Sequence, residues 1–210
     1  GKLVMDRIEE ANPALVISNT TRPQNEEGTG PDAVPAGYQA FWEELAERDI
    51  PFLGFRDNPW GFDEDGEPRE FDECYVANED AVGCGMRFEQ VYQPYDPGAV
   101  VLSQYENMLS LDTAPWFCDA NGDCPVIIGN TMVYRDMHHI TNAFAESAMP
   151  MIREALKPFL NGEKVQQQAP DIPPEQAAAA VEPAPAAPTD AGKPHANPVP
   201  YPNTVHDDAV

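Results

Sequence analysis

Basic residues are scarce in this chain: 12 Lys and Arg stand against 36 Asp and Glu, a formal charge of −24. Such a surface repels phosphate backbones and anionic bilayers, which argues against nucleic acid or a charged membrane surface as a partner. Long apolar runs are missing too. No stretch approaches the roughly 18 to 20 apolar residues of a membrane span, and no basic, apolar leader is legible at the start. Cysteine is limited to four residues in two local pairs, Cys74 with Cys84 and Cys118 with Cys124. Neither pair has the two-to-four-residue gap of a zinc knuckle, which argues against structural zinc. Disulfides within each pair are the favoured reading, with free buried thiols as the alternative. "CDANGDC" is able to turn through Asn121 and Gly122 and close a small ring worth about 2 kcal/mol by loop entropy. Two disulfides point outside the cytosol.

What is present suits one domain and a tail. The 210 residues are 42% hydrophobic, enough for a single buried core. From Gln166 to Val210, 10 Pro and 11 Ala fall in 45 residues with almost no large apolar side chains. That composition does not offset its ordering entropy, so the expected division is a domain over 1–165 and a disordered tail over 166–210. His195 and His206, inside the tail, read as solvated. The chain opens at Gly1 with "KLVMDRIEEANPALVIS", the closing turns of a helix running into a strand, and the expectation is that the natural polypeptide begins earlier.

The domain alternates. "ALVIS" (14–18) and "IPFLGF" (50–55) are continuous apolar runs, and Tyr38, Phe41, Trp42 and Leu45 recur at helical spacing between them. Strand, helix, strand implies a parallel crossover. "NMLSLD" (107–112) and "CPVIIGN" (124–130) are predicted short strands. Phe144, Ala148, Met151, Ile152, Ala155 and Phe159 mark one face of a last helix, which Pro150 is expected to kink or restart. This pattern predicts a layered α/β domain whose functional residues follow the strands, where Asn19, Asp57 and Asn58 stand. Between Asp63 and Asp80, nine acids against Arg69 alone read as a solvated loop, because the spacing and glycine of a calcium loop are absent.

"YRDMHHIT" (134–141) is the stretch with the most chemistry. An aspartate three residues before a histidine in a turn is able to accept the Nδ1 proton, which leaves Nε2 as a general base worth roughly 100-fold to 10,000-fold in rate. A polar turn capping a helix is the plain alternative. Metal binding by Asp136, His138 and His139 is disfavoured because neighbouring side chains in an extended turn point apart. No cofactor or metal is expected.

"WFCDANGDCPVIIGNTMVYRDMHHITNAFAESAMP" resembles the closing segment of the SGNH domain attached to membrane acyltransferases of the acyltransferase family 3. There a Cys loop, a short strand, a Tyr-Arg-Asp turn and a His-hydrophobic-Thr step recur in this order. "NPALVISNTTR" and "IPFLGFRDNPW" are similar to that family's middle strands. The resemblance spans about residues 5 to 160. It implies a three-layer α/β/α, flavodoxin-like parallel sheet, incomplete at its N-terminus, and a Ser-His-Asp triad in which His139 is the base and Asp136 orients it. His138 is then a neighbour.

The family's nucleophile sits in a Gly-Asp-Ser turn, and that tripeptide is absent. The serines are Ser18, Ser103, Ser110 and Ser147. Ser18 ends a strand but runs into a loop with a proline, so it is a poor candidate, and the expected nucleophile lies outside this chain. Asn19 is placed to line an oxyanion pocket with Thr20 or Arg22 beside it; a loop Asn forming an Asx turn is the alternative. The implied activity is O-acyl transfer, acetyl foremost, to hydroxyls of an extracytoplasmic envelope glycan or glycolipid, with the acyl donor delivered by an upstream membrane acyltransferase domain. An esterase of the same fold and a non-catalytic acidic surface domain are the other readings. Alone, these 210 residues are expected to be inactive.

Overall fold

The computed structural model describes residues 2–24 and 28–181. Helix α1 (Lys2–Ala11) leads into β1 (Val16–Asn19), and the short strands β2 (Arg22–Pro23) and β3 (Asp32–Ala33) form an antiparallel ribbon. Helix α2 (Ala36–Glu47) then carries the chain back to β4 (Phe52–Phe55), which lies parallel to β1 with Val16 opposite Phe52. Phe52, Leu53 and Gly54 are all buried, which is why this strand is apolar at successive positions instead of alternating. Gly54 has a steric reason as well: a Cβ there would sit 2.0 Å from the Thr20 methyl.

Helix α3 (Phe71–Asn78), β5 (Met86–Arg87), α4 (Phe88–Val91) and α5 (Pro97–Leu102) lead to β6 (Met108–Leu111), parallel to β4 on its other side. The sheet order is β1-β4-β6, a mixed α/β domain with a parallel three-stranded sheet. The outer edge of β1 is unpaired among the described residues, and Ile17 on it is 51% exposed. Helix α6 (Ala114–Phe117), β7 (Asp123–Cys124), the hairpin of β8 (Ile127–Ile128) with β9 (Thr131–Met132), α7 (Asn142–Leu160) and α8 (Pro174–Ala178) complete the described elements.

Two apolar clusters divide the labour. One joins the sheet to α1, α2 and α5 through Met5, Trp42, Leu45, Phe52, Leu102 and Met108. The second holds Phe71, Phe117, Val126, Val133, Tyr134 and Phe144, which come from the chain on either side of the "YRDMHHIT" turn and from the helices around it. Both predicted disulfides sit against this second cluster, Cys74 to Cys84 and Cys118 to Cys124. Gly122 turns the smaller ring at φ +81°, in the left-handed region that glycine enters without strain. Arg87 ties that ring down through the Asp123 carboxylate and the Asn121 carbonyl.

Four sequence expectations differ from the structure. "CPVIIGN" does not join the parallel sheet: Ile127 and Ile128 pair with Met132 and Thr131 across a local turn. The acidic stretch is not all loop, since α3 occupies its second half, anchored by buried Phe71 and the Cys74 bridge. Pro150 does not restart the last helix, which runs from Asn142 to Leu160. Pro150 lies on the exposed side, as does Glu146, so the carbonyl deprived of its partner faces water. The tail boundary at 166 falls too early, because residues 166–181 lie along the domain. Gln166 bridges Glu106, the Gln167 side chain accepts from the Ser110 amide, Tyr95 donates to the Gln176 carbonyl and Ala180 is fully buried. Hydrogen bonds to β6, to the residues just before it and to Tyr95 thus supply what apolar composition does not. Residues 182–210, with His195 and His206, lie outside the described residues. No helix among the described residues is long and apolar enough to cross a membrane.

Candidate active site

The turn that carries Asp136 and His139 is closed at its base by a bridge between Tyr134 and Ile140 and by the Arg135 amide donating to the His139 carbonyl. Within it Asp136 folds back. Its Oδ1 accepts the backbone amides of His138 at 2.9 Å and His139 at 2.7 Å, and Oδ2 meets His139 Nδ1 at 2.8 Å. Burial works against the ionised carboxyl, but the two amides and then the imidazole outweigh it and hold Asp136 down at about 2. An acceptor that stays ionised favours a proton on Nδ1, so in the neutral ring Nε2 is the nitrogen left with a lone pair. Thr141 caps the helix behind the turn by accepting the Phe144 amide and donates to the Met132 carbonyl. One segment thus sets the Asp136 carboxylate against the His139 imidazole and caps the helix that follows.

The loop after β4 holds this turn from the other side. Asn58 Nδ2 donates to the His138 carbonyl at 2.8 Å, and the Gly61 amide donates to the Met137 carbonyl at 2.7 Å. The Trp60 ring lies 4.6 Å from the His138 ring, and His138 lies 3.9 Å from His139. Neighbouring side chains thus do not point apart as expected. Asp136, His138 and His139 bring ligand-type atoms within 4.8 Å of one another, though a cation there would have to displace the Asp136–His139 bond.

Asp57 is the hub that sequence reading placed after a strand without seeing its role. Its carboxylate accepts from Asn19 Nδ2 at 2.6 Å, Arg22 Nη1 at 2.9 Å and Trp60 Nε1 at 3.2 Å. Burial raises its pKa, and the Arg22 guanidinium opposes that rise. Asn19, Arg22, Trp60, Arg135, His138 and His139 then line one cavity of about 590 Å³. Asn19 and Arg22 thus share a cavity with His139, and Trp60 and Arg135, which sequence reading missed, line it too. The signal for Trp60 was its place in "FRDNPW", directly after a buried strand.

Thr20 is a correction. It is fully buried, with Oγ1 3.1 Å from Ser110 Oγ, and packs inward under the sheet, so it has no access to the cavity. None of the four serines lines the cavity. Ser103 donates to Val100, Ser110 to Asp96 and Ser147 to Phe144, while Ser18 lies exposed on β1.

Comparison with curated proteins and with solved structures gives no match. A family profile, that of the SGNH domain (fused to AT3 domains), matches residues 4–154, the whole sheet and the Asp136–His139 turn included, and the chain belongs to that family.

Proposed function

We propose that this domain performs acyl-ester chemistry with His139 as general base and Asp136 as the residue that orients it. The observation that carries the reading is the Asp136 carboxylate held by two amides against His139 Nδ1, at the rim of a cavity His139 lines. His139 Nε2 takes the proton of a serine hydroxyl as its oxygen attacks the acyl carbonyl. It returns that proton to the departing alkoxide, which leaves an acyl-serine. An acceptor hydroxyl, deprotonated by the same nitrogen, then receives the acyl group and frees the serine. The serine comes from outside these 210 residues, and Asn19, whose amide has a second N–H beyond the one given to Asp57, faces the developing oxyanion.

Transfer and hydrolysis differ only in whether a sugar hydroxyl or water reaches the acyl-enzyme. The family's fusion to AT3 domains supports transfer, with the donor presented by a membrane acyltransferase domain and a glycan or glycolipid of the cell envelope as acceptor. The two disulfides support an extracytoplasmic setting.

The test compares the product of the complete reading frame with these 210 residues alone, using an activated acetyl ester and a serine-directed phosphonate. The expected result is labelling and turnover in the first and neither in the second. His139→Ala abolishes turnover, Asp136→Asn reduces it about 10,000-fold by releasing the wrong tautomer, and His138→Ala has a small effect. Phosphonate labelling of Ser18 in the short chain, with turnover lost in His139→Ala, would instead make Ser18 the nucleophile.

A further inference from the structure

A second space adjoins the His139 cavity. It measures about 200 Å³ and runs between the carboxyl end of the sheet and α7, where Phe55, Trp116, Phe117, Phe144, Ala148 and Ile152 line it. Asn19, Asp57, Asn58 and Ile140 line both spaces, so the apolar groove opens onto the polar cavity across a shared row of residues. The other polar residues on its wall are occupied. Arg56 is buried and doubly bonded to Asp32, and Thr113 donates to the Arg56 carbonyl. A ligand group there meets hydrocarbon and aromatic surface, with its polar end at the shared row beside His139.

The geometry points to a subsite for the hydrocarbon chain of a medium-length acyl group, about six to eight carbons, in place of the acetyl group that the family resemblance suggests. The inference rests on the acyl chemistry proposed for His139. The size follows from volume: an apolar cavity of roughly 150 Å³ takes up a six-carbon ring, so a groove of this size holds about eight carbons in proportion. An acetyl group places one methyl beyond the carbonyl and leaves most of the groove unfilled, whereas each further methylene leaves water for apolar surface and tightens binding about fourfold.

Binding separates this inference from catalysis. Neutral N-methyl amides of straight-chain acids, from acetic to decanoic, are titrated into the 210-residue chain while the indole N–H resonances of Trp116 and Trp60 are followed by NMR. The expected Kd falls about fourfold per methylene up to about eight carbons and then levels, with Trp116 shifting as the chain lengthens. Ala145→Phe, which fills the groove from α7, flattens the series, and Ile152→Ala moves the plateau to longer chains. His139→Ala leaves the chain-length series in place, so failure of the catalytic reading and failure of the subsite are distinct results. Affinity that ignores chain length overturns the subsite, as does a length dependence that survives Ala145→Phe with Trp116 unmoved.

Discussion

Asp96 caps α5 from a buried site, and its replacement by asparagine should stabilise the protein in a strongly pH-dependent way. The carboxylate accepts the Gly98 amide at 2.8 Å and the Ser110 hydroxyl at 2.7 Å, and Ser110 Oγ lies 3.1 Å from Thr20 Oγ1. Burial lifts its pKa to about 6, and the Arg56 charge and the Ser110 bond oppose only part of that rise. The folded value stands above the unfolded one, so between about pH 4 and about pH 6 the native state holds a proton that the unfolded chain has lost. Stability from this group is therefore full below about pH 4, falls as pH rises and is gone above about pH 6, a total of about 3 kcal/mol. Asparagine keeps an acceptor for Gly98, donates to Ser110 Oγ and carries no proton to lose. The chain's pI of 4.2 makes the lower end of that window prone to precipitation, so urea unfolding is best compared at about pH 5 and about pH 7.5. Over that interval the advantage of Asp96→Asn over the parent should grow by about 1.4 kcal/mol. An advantage that is equal at both pH values would refute the buried, proton-holding role.

Asp32→Ala should cost about 3–5 kcal/mol in the same unfolding assay, because it strands the buried Arg56 guanidinium, now held by two bonds at 2.8 and 2.9 Å. A loss below about 1 kcal/mol would mean that Asp112 or water takes over the pairing. Gly54→Ala should cost about 1–3 kcal/mol through the clash with the Thr20 methyl, and Thr20→Ser in the same chain should recover part of the loss. Removing the small ring with Cys118→Ser and Cys124→Ser together should cost about 2 kcal/mol, and non-reduced peptide mass analysis of the parent should show the Cys74–Cys84 and Cys118–Cys124 links.

The central strand of the sheet was legible because it is buried on both faces. Phe52 and Leu53 are fully buried, so burial leaves a continuous apolar run that needs no partner to be recognised, and Trp42 with Leu45 keeps the three-residue helical spacing because one stripe of α2 meets that strand. Where a segment is ordered by something other than apolar burial, composition misleads. Residues 166–181 are poor in large side chains, yet the Gln167 side chain takes the Ser110 amide on the last strand of the sheet and the Ala180 carbonyl takes the Val34 amide beside β3. Hydrogen bonds to an open edge leave little trace in hydropathy. The pairing of Ile127 with Met132 was hidden for a related reason: a four-residue apolar run fits a buried parallel strand and a local hairpin equally well.

The site divides along the same line. Asp136 and His139 were readable because the geometry is local: three residues fix where the carboxylate and the imidazole meet, and the two amides that hold the carboxylate belong to the same turn. Asp57 was not, since two of its three donors, Asn19 and Arg22, come from a strand end and ribbon more than thirty residues earlier, and only register between parallel strands brings them together. Asn19 lies opposite Phe55 in that register, which sets the two loops leaving β1 and β4 side by side. Every cavity residue on the far side from His139 depends on this alignment. A one-residue slip of β1 against β4 would turn Asn19 to the other face of the sheet and put buried Thr20 in its place. Thr20 is held against such a slip by its Ser110 contact and by the absence of any side chain at Gly54. The residues that fix the register are thus buried, small and chemically silent, and those they bring to the His139 cavity, Asn19, Arg22 and Asp57, are polar or charged.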